Sequence, residues 1–560
     1  MAVKLYLKIT LAAEFVCSTF LLALGVPEHL VFQERCQLFL WTGEYFHEVI
    51  SVPGGLSDWL GRFFTQFFLN PWMGAAIISA LLVAFQRLLL GFFEEVPLWL
   101  FGLTILPVAI LCAFYTNENA MLSAVIALIL SLLAAHGVSR ISDRPLRMIV
   151  VIVLTPLLYM ACGPLSLIFL VSLSVRDWKA AFIGLSVLFL TVLAATWVFQ
   201  YPIKSLVGGI HYYRFLQTVR PEPWYALVAA TFPIILRRFL PKDGSSLVNA
   251  IVVAVSAVVS LLIAVRPVLD KNINHQKEET LKYTILSQNE DWNGIIEAAK
   301  KKWPSLSPVS VACVNLALAK TGQFPDGLFK GFQNGPQGLI SDKKVDFISP
   351  LAFAQVYWAL GLVDSAQRLV YEAQESIPDF QKSSYCYKWL ARTNLVNGDI
   401  TVSEKYMKAL SHTLFYHKWR PSDDIDQISS SRLTVKDMVS SDENIHEVLS
   451  LLVGRDSSNT MARDYLLAYD MLSLNLDGFV ADYNATHKSR EVVSIAFAEA
   501  LALAWARDHR DFDGIPWTLP DGVTDRCVSF FGDRGANRPK GAMKNKYGTT
   551  YWYYYFYHGK

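Results

Sequence analysis

Cysteine is scarce in this chain: seven residues in 560, namely Cys17, Cys36, Cys112, Cys162, Cys313, Cys386 and Cys527. None stands in a Cys-x-x-Cys pair or at a Cys/His spacing that suits zinc. A zinc module and a disulfide framework are therefore excluded. Cys17, Cys112 and Cys162 fall in apolar runs and read as small hydrophobes. An excess of one charge is also missing. The formal net charge is +2 and no polybasic block occurs, so nucleic acid is not an expected partner. Gly-x-Ser-x-Gly, P-loop, His-Glu-x-x-His and dinucleotide fingerprints are absent. The apolar runs are read as carrying no ionisable residue in mid-span, which argues against an ion-coupled transporter.

What is present is an abrupt change at about Asp270. Before it, apolar runs alternate with short Arg-bearing loops. After it, the sequence is polar and helix-patterned. A spanning helix needs about 20 apolar residues at about 1.5 Å rise each. Candidate spans are 7–26, 72–92, 97–115, 120–138, 148–163, 164–175, 180–200, 223–240 and 246–266. The two beside Gly163-Pro164 are short, and read as one tight hairpin or a re-entrant pair. The fold class is all-α: a polytopic helical bundle, residues 1–269, then a soluble helical repeat domain.

Basic residues set the orientation. Eleven fall in one set of loops: Lys4, Lys8, Arg87, Arg140, Arg144, Arg147, Arg176, Lys179, Arg237, Arg238 and Lys242. Six fall in the other: Arg35, Arg62, Lys204, Arg214, Arg220 and Arg266. The bias puts the N-terminus inside. An odd number of spans then puts residues 270–560 outside. The first span also reads as a signal peptide, with Ala23-Leu24-Gly25 as a cleavage site.

The outer loops hold the candidate site residues. Residues 27–71 are too long and too patterned to be a mere connector. Leu56, Trp59, Leu60, Phe63, Phe64, Phe67 and Phe68 recur at helical spacing, with Asp58, Arg62 and Gln66 opposite. That pattern is an amphipathic helix lying in the membrane interface. Phe39, Leu40, Tyr45, Phe46 and Ile50 suggest a second, so interfacial helices are expected within 36–69. The next outer loop is Thr116-Asn117-Glu118-Asn119. The third contains Gly208-Gly209-Ile210-His211-Tyr212-Tyr213-Arg214.

A first span, an acidic residue (Glu34 in Gln33-Glu34-Arg35), two interfacial helices, a second span and an acidic outer loop (Asn117-Glu118-Asn119) form a layout over about residues 5–270. It resembles integral-membrane, lipid-phosphosugar-dependent glycosyltransferases of the C fold class. Those enzymes often carry a pair of carboxylates where this chain has one. The resemblance implies a polyprenyl-phosphate sugar donor, with a divalent metal as an optional cofactor. It implies Glu34 and Glu118 as catalytic carboxylates, Glu34 deprotonating or orienting the acceptor and Glu118 positioning acceptor or metal. His211, Tyr212 and Arg214 are the implied substrate-binding group, with Arg214 or Lys204 meeting the departing phosphate. The plainer reading of each stays open: solvated flanks for the carboxylates, an interface anchor for Tyr212, Tyr213 and Arg214. The chain also resembles uncharacterised multi-pass proteins of Gram-negative bacteria. The implied location is a bacterial inner membrane, with a cytoplasmic N-terminus and a periplasmic C-terminal domain.

Beyond residue 270, turn residues recur at Asn289, Gly322, Gly361, Gly398 and Asn475. Each precedes an amphipathic stretch such as Val363 to Val370. Val356-Tyr357-Trp358-Ala359-Leu360-Gly361 followed by Ala366, and Leu390 to Ala409, resemble tetratricopeptide repeats. Such an array implies a periplasmic protein or peptide partner on its concave face. The organisation read is repeats over 270–420, a polar insertion or degenerate repeat at 421–460, further helical pairs at 461–530, and a basic linker with an aromatic tail at 531–560. Tyr551 to Tyr557 is seven consecutive aromatics. Such a run must pack on the repeats, on a partner or at lipid headgroups. The non-enzymatic alternative is a membrane-anchored scaffold for envelope partners.

Overall fold

The structure, a computed structural model, describes residues 2–93, 98–216, 218–236, 246–269, 275–301, 306–340, 346–378, 381–421 and 444–558. Arg237, Arg238, Lys242 and most of the polar stretch after Pro421 lie outside the described residues. The fold is all-α. Among the described residues no β-strand forms, only three isolated bridges. Two compact units result: residues 1–275 with 377–387 and 407–419, and residues 276–376 with 388–406 and 420–560.

The first unit contains α1 (Ala2–Gly25), α2 (Pro27–Arg35), α3 (Gly43–Ile50), α4 (Gly55–Thr65), α5 (Pro71–Leu90), α6 (Leu98–Phe114), α7 (Ser123–Ser139), α8 (Arg144–Cys162), α9 (Leu167–Ser174), α10 (Trp178–Phe199), α11 (Ile203–Gly208), α12 (Glu222–Leu236) and α13 (Ser246–Leu269). Among the described residues, five helical runs are long and apolar enough to cross a membrane: Lys8–Gly25, Pro71–Leu90, Arg144–Ser174, Trp178–Phe199 and Ile251–Val268. Three shorter apolar helices accompany them, Leu100–Phe114, Ser123–Ser139 and Glu222–Leu236. α10 and α13 bury few of their side chains, and Trp197 and Val198 are 86% and 71% exposed. That surface suits lipid, not water.

The run Arg144–Ser174 does not cross as one rod. Gly163 breaks it at φ 68°, ψ −158°. Asp177, just past α9, is paired with both Arg144 (3.3 Å) and Arg147 (2.9 Å) at the start of α8. Both ends of the run therefore meet, and the chain folds back at Gly163-Pro164. The loops sort into two groups on the same logic. At one end, Arg176 donates to Ser139 O, His136 contacts Leu88 O at 2.8 Å, and His136 stacks on Phe92. At the other, His29 contacts Thr116 O at 2.6 Å, Met121 N donates to Tyr212 O at 3.1 Å and Gly54 N to Met160 O at 2.8 Å. A Cβ on Gly25 would come within 2.9 Å of Val268, so α1 and α13 finish at that same end.

In one respect the structure corrects the sequence-based expectation: an ionisable residue does stand in mid-span. Glu14 lies inside Lys8–Gly25. One carboxylate barely alters the mean hydropathy of a long apolar run, so the run reads as uncharged.

The second unit contains α14 (His275–Gln288), α15 (Trp292–Lys301), α16 (Pro308–Lys320), α17 (Ser349–Leu360), α18 (Val363–Glu375), most of α19 (Ser384–Val396), much of α20 (Ile400–Ser411), α21 (Ile445–Arg455), α22 (Thr460–Leu472), α23 (Leu476–Thr486), α24 (Ile495–Asp508), α25 (Val523–Gly535), α26 (Lys540–Tyr547) and α27 (Tyr551–Tyr557). Positive φ occurs at Glu290, Gly322, Gly361, Gly398 and Leu474, each at or beside a turn position read from the sequence. At four of the five a second helix follows directly. After Gly322 the chain instead enters turns and a short 3-10 segment, Leu328–Lys330. The aromatic tail is itself a helix. Thr550 caps it by accepting from Tyr553 N. Tyr551 and Trp552 are fully buried, and Trp552 Nε1 donates to Glu499 O at 2.8 Å.

Candidate functional site

α4 buries the wrong face for a soluble helix. Ser57 and Asp58 are fully buried and Gln66 nearly so, while Leu56, Trp59, Leu60, Phe63 and Phe64 are only half-buried. Its aromatic side joins a cluster in which Phe39 touches Trp41, Tyr45, Trp59 and Phe63. Its polar side faces the bundle, packed on α7 and α8. Gly61 permits the close approach, since a Cβ there would lie 2.9 Å from Ser123 N.

This inversion makes a buried polar group. Arg62 donates through Nε to Asp58 Oδ2 at 2.9 Å, and its Nη2 lies 2.8 Å from the same oxygen. His211 Nδ1 is 3.5 Å from that oxygen. Asp58 Oδ1 and His211 Nε2 are both buried without a hydrogen-bond partner. Ser123 Oγ donates to His211 O and fixes the backbone. Burial holds the His211 imidazole below its ordinary pKa of 6.5, against a smaller opposing pull from Asp58, with Arg62 adding to the depression. Burial would also lower Arg62, but Asp58 and Tyr45 override it and keep the guanidinium charged. The result is a neutral imidazole beside a carboxylate, with an open nitrogen. That arrangement can take a proton from a hydroxyl.

Glu34, Glu118, Arg35 and Arg214 lie at the same end of the bundle, each engaged. Glu34 is 3% exposed and accepts from the Tyr416 hydroxyl at 3.2 Å. Arg35 Nε stands 3.9 Å from its other oxygen, and the Arg35 guanidinium covers the Tyr385 ring at 4.7 Å. Burial, with Glu34 adding, pushes the Tyr416 phenol well above its ordinary range. Glu118 accepts from Asn119 Nδ2 at 3.0 Å. Gln33 Nε2 donates to Asn117 O at 3.1 Å and so ties α2 to that loop. Arg214 N donates to Asn119 O at 2.9 Å. Its guanidinium donates to Cys36 O (2.9 Å), Gln33 O (3.4 Å) and Gln381 Oε1 (3.3 Å). Tyr212 donates to Cys162 O and accepts from Leu165 N at 3.0 Å, which clamps the turn at Gly163. Arg214 and Tyr212 thus hold backbone, while His211 keeps a nitrogen open.

The family described as "Family of unknown function (DUF6057)" matches residues 2–558. The chain belongs to DUF6057. No curated protein and no solved structure matches it. In this DUF6057 chain the match runs through both units, so the apolar helices and the polar half form one inherited whole. Asp58 is the member of this buried polar group that sequence reasoning does not single out. Its position on the polar stripe of an amphipathic helix reads as solvent-facing, and only the inverted burial of α4 reveals it.

Proposed function

We propose that the protein is a membrane-embedded transferase acting at the end of the bundle that carries α2 to α4. His211 Nε2 removes the proton of an acceptor hydroxyl, and Asp58 stabilises the imidazolium that forms. The acceptor oxygen bonds to the anomeric carbon of a sugar. The bond from that carbon to the phosphate of a polyprenyl carrier breaks, and the lipid phosphate leaves with the electron pair. Lys204, exposed in the first turn of α11, is a cation within the same group of loops that could meet that phosphate. The observation that carries the reading is that two neighbouring side chains, Asp58 and His211, each keep a buried polar atom without a hydrogen-bond partner, Oδ1 and Nε2. Such pairs are rare in folded proteins and collect at working sites. The donor class rests on the architectural likeness alone. The excess of Lys and Arg in the opposite loops supports an outward-facing site, in a bacterial inner membrane with the polar half in the periplasm.

The test is sugar transfer from a polyprenyl-phosphate donor in reconstituted membranes. His211→Gln should lower the rate roughly 100-fold or more, with the amount of folded protein unchanged. Full retention of the protein's cellular role in that variant would sink the reading.

A second reading has its own observation. Glu34, Arg35 and Arg214 are all engaged by segments 377–387 and 407–419, through Tyr416, Tyr385 and Gln381. That use of charge suits a non-enzymatic anchor for a tetratricopeptide-like domain that recruits a periplasmic protein or peptide. Under it, replacing both Glu34 and Glu118 with Gln leaves no sugar transfer to lose.

A further inference from the structure

In the second unit, three side chains from three successive helices converge. His446 stands in the first turn of α21, Asp470 near the end of α22, and Asp482 within α23. One ligand atom from each lies within 4.8 Å of the other two. His446 Nε2 is 2.9 Å from Asp482 Oδ2 and 3.5 Å from Asp470 Oδ1. A metal ion with bonds of about 2.1 Å sets its tetrahedral ligand atoms about 3.4 Å apart. The two distances from His446 Nε2 bracket that spacing.

A second observation separates this cluster from an ordinary surface group. Asp470 is fully buried, and its Oδ2 has no hydrogen-bond partner. Its Oδ1 receives a long contact from Asn475 Nδ2, at 3.4 Å, besides the 3.5 Å approach of His446 Nε2. A buried carboxylate this poorly satisfied, beside a second carboxylate, needs a cation. Asp470 also stands near the negative end of α22, where the helix dipole opposes an uncompensated carboxylate. Access is open on one side, since the His446 and Asp482 side chains are 30% and 25% exposed.

We propose that His446, Asp470 and Asp482 bind a divalent transition-metal ion that locks α21 to α22 and α23. One nitrogen and two carboxylate oxygens leave the site neutral with a divalent cation bound. The mixed donor set favours zinc, cobalt or manganese over magnesium and calcium, which prefer all-oxygen sites. This site is separate from the bundle and does not depend on the transferase reading.

The experiment uses the full chain in detergent, stripped with chelator and titrated with Zn²⁺, Co²⁺, Mg²⁺ and Ca²⁺ alone. One equivalent of Zn²⁺ should bind and raise the melting temperature, while Mg²⁺ and Ca²⁺ should bind at least 100-fold more weakly. Co²⁺ should give visible bands of a low-coordinate site. His446→Gln and Asp482→Asn each alter a half-exposed side chain, so the fold survives them. Each should weaken Zn²⁺ binding by more than tenfold and remove the cobalt bands. Two results would overturn the proposal: no stoichiometric Zn²⁺ uptake by the stripped protein, or equal uptake by both variants. If His446→Gln lowers the melting temperature of the chelated protein by as much as it removes in Zn²⁺, the trio is only an ion pair.

Discussion

At the scale of single residues, the charged groups at the α2–α4 end of the bundle are mostly engaged, while His211 Nε2 has no hydrogen-bond partner. His211 has a pH signature. Its folded pKa lies below 6.5, so the unfolded chain takes up its proton first as pH falls. The native state is therefore unaffected above about pH 6.5 and loses stability below it, by about 1.4 kcal/mol for each unit of depression. Melting curves from pH 8 to pH 5 should fall more steeply for the wild type than for His211→Gln. Tyr416→Phe removes the hydroxyl that Glu34 accepts from, and should destabilise the first unit by roughly 1–3 kcal/mol in denaturant titrations. His211 can be picked out from the sequence because it stands among Gly, Tyr and Arg in an outer loop. Asp58 cannot. Periodicity shows which residues share a helix face and is silent on which face the neighbours cover.

At the scale of elements, the turn between α8 and α9 depends on one glycine. A Cβ at Gly163 would sit 2.8 Å from the Tyr212 hydroxyl, and the residue's φ is positive. Gly163→Ala should cost about 2–4 kcal/mol from backbone strain plus the displaced tyrosine, read as reduced accumulation and a lower melting temperature. The break itself is legible, since two short apolar runs flank Gly163-Pro164. The alternative of one long helix is removed by Asp177 and its two arginines, a pairing that no periodicity predicts. The C-terminal helix offers a test with the opposite pH sign. Burial pushes the Glu499 carboxyl up to about 7, against the Tyr551 N–H and Arg526, which pull it down. Its stabilising effect is thus whole below about pH 4.5 and fades as pH rises through 7. Glu499→Gln should flatten stability between pH 5 and 8, by about 2 kcal/mol over that range. The aromatic tail reads in the sequence as a run that must pack somewhere, with no element assigned to it. It becomes a helix because Thr550 caps it and the core around Glu499 takes up its rings.

At the scale of the whole molecule, the composition change near residue 270 is the strongest signal, and the all-α class follows from it directly. The alternation of loops between two ends of the bundle puts the last residues of α13 at the end opposite the start of α1. Single cysteines placed at exposed positions in a background without reactive thiols should therefore label from opposite sides of sealed vesicles. A label at Lys8 and one at Arg510 that react from the same side would refute that topology. What the sequence does not disclose is that 377–387 and 407–419 belong with the apolar helices. In the sequence they read as part of the repeats over 270–420, because contacts across hundreds of residues leave no local trace.

Those two segments bear on how the chain can be dissected. A fragment starting at residue 276 would look soluble on paper. It would carry Tyr385, Phe415 and Tyr416 without the partners that cover them, Arg35, Phe67 and Glu34, and Ser384 and His412 without the backbone of Gln37 and Trp41. Such a fragment should be sticky and poorly behaved in water, and its difficulty would reflect missing lipid-side neighbours, not an intrinsic inability to fold.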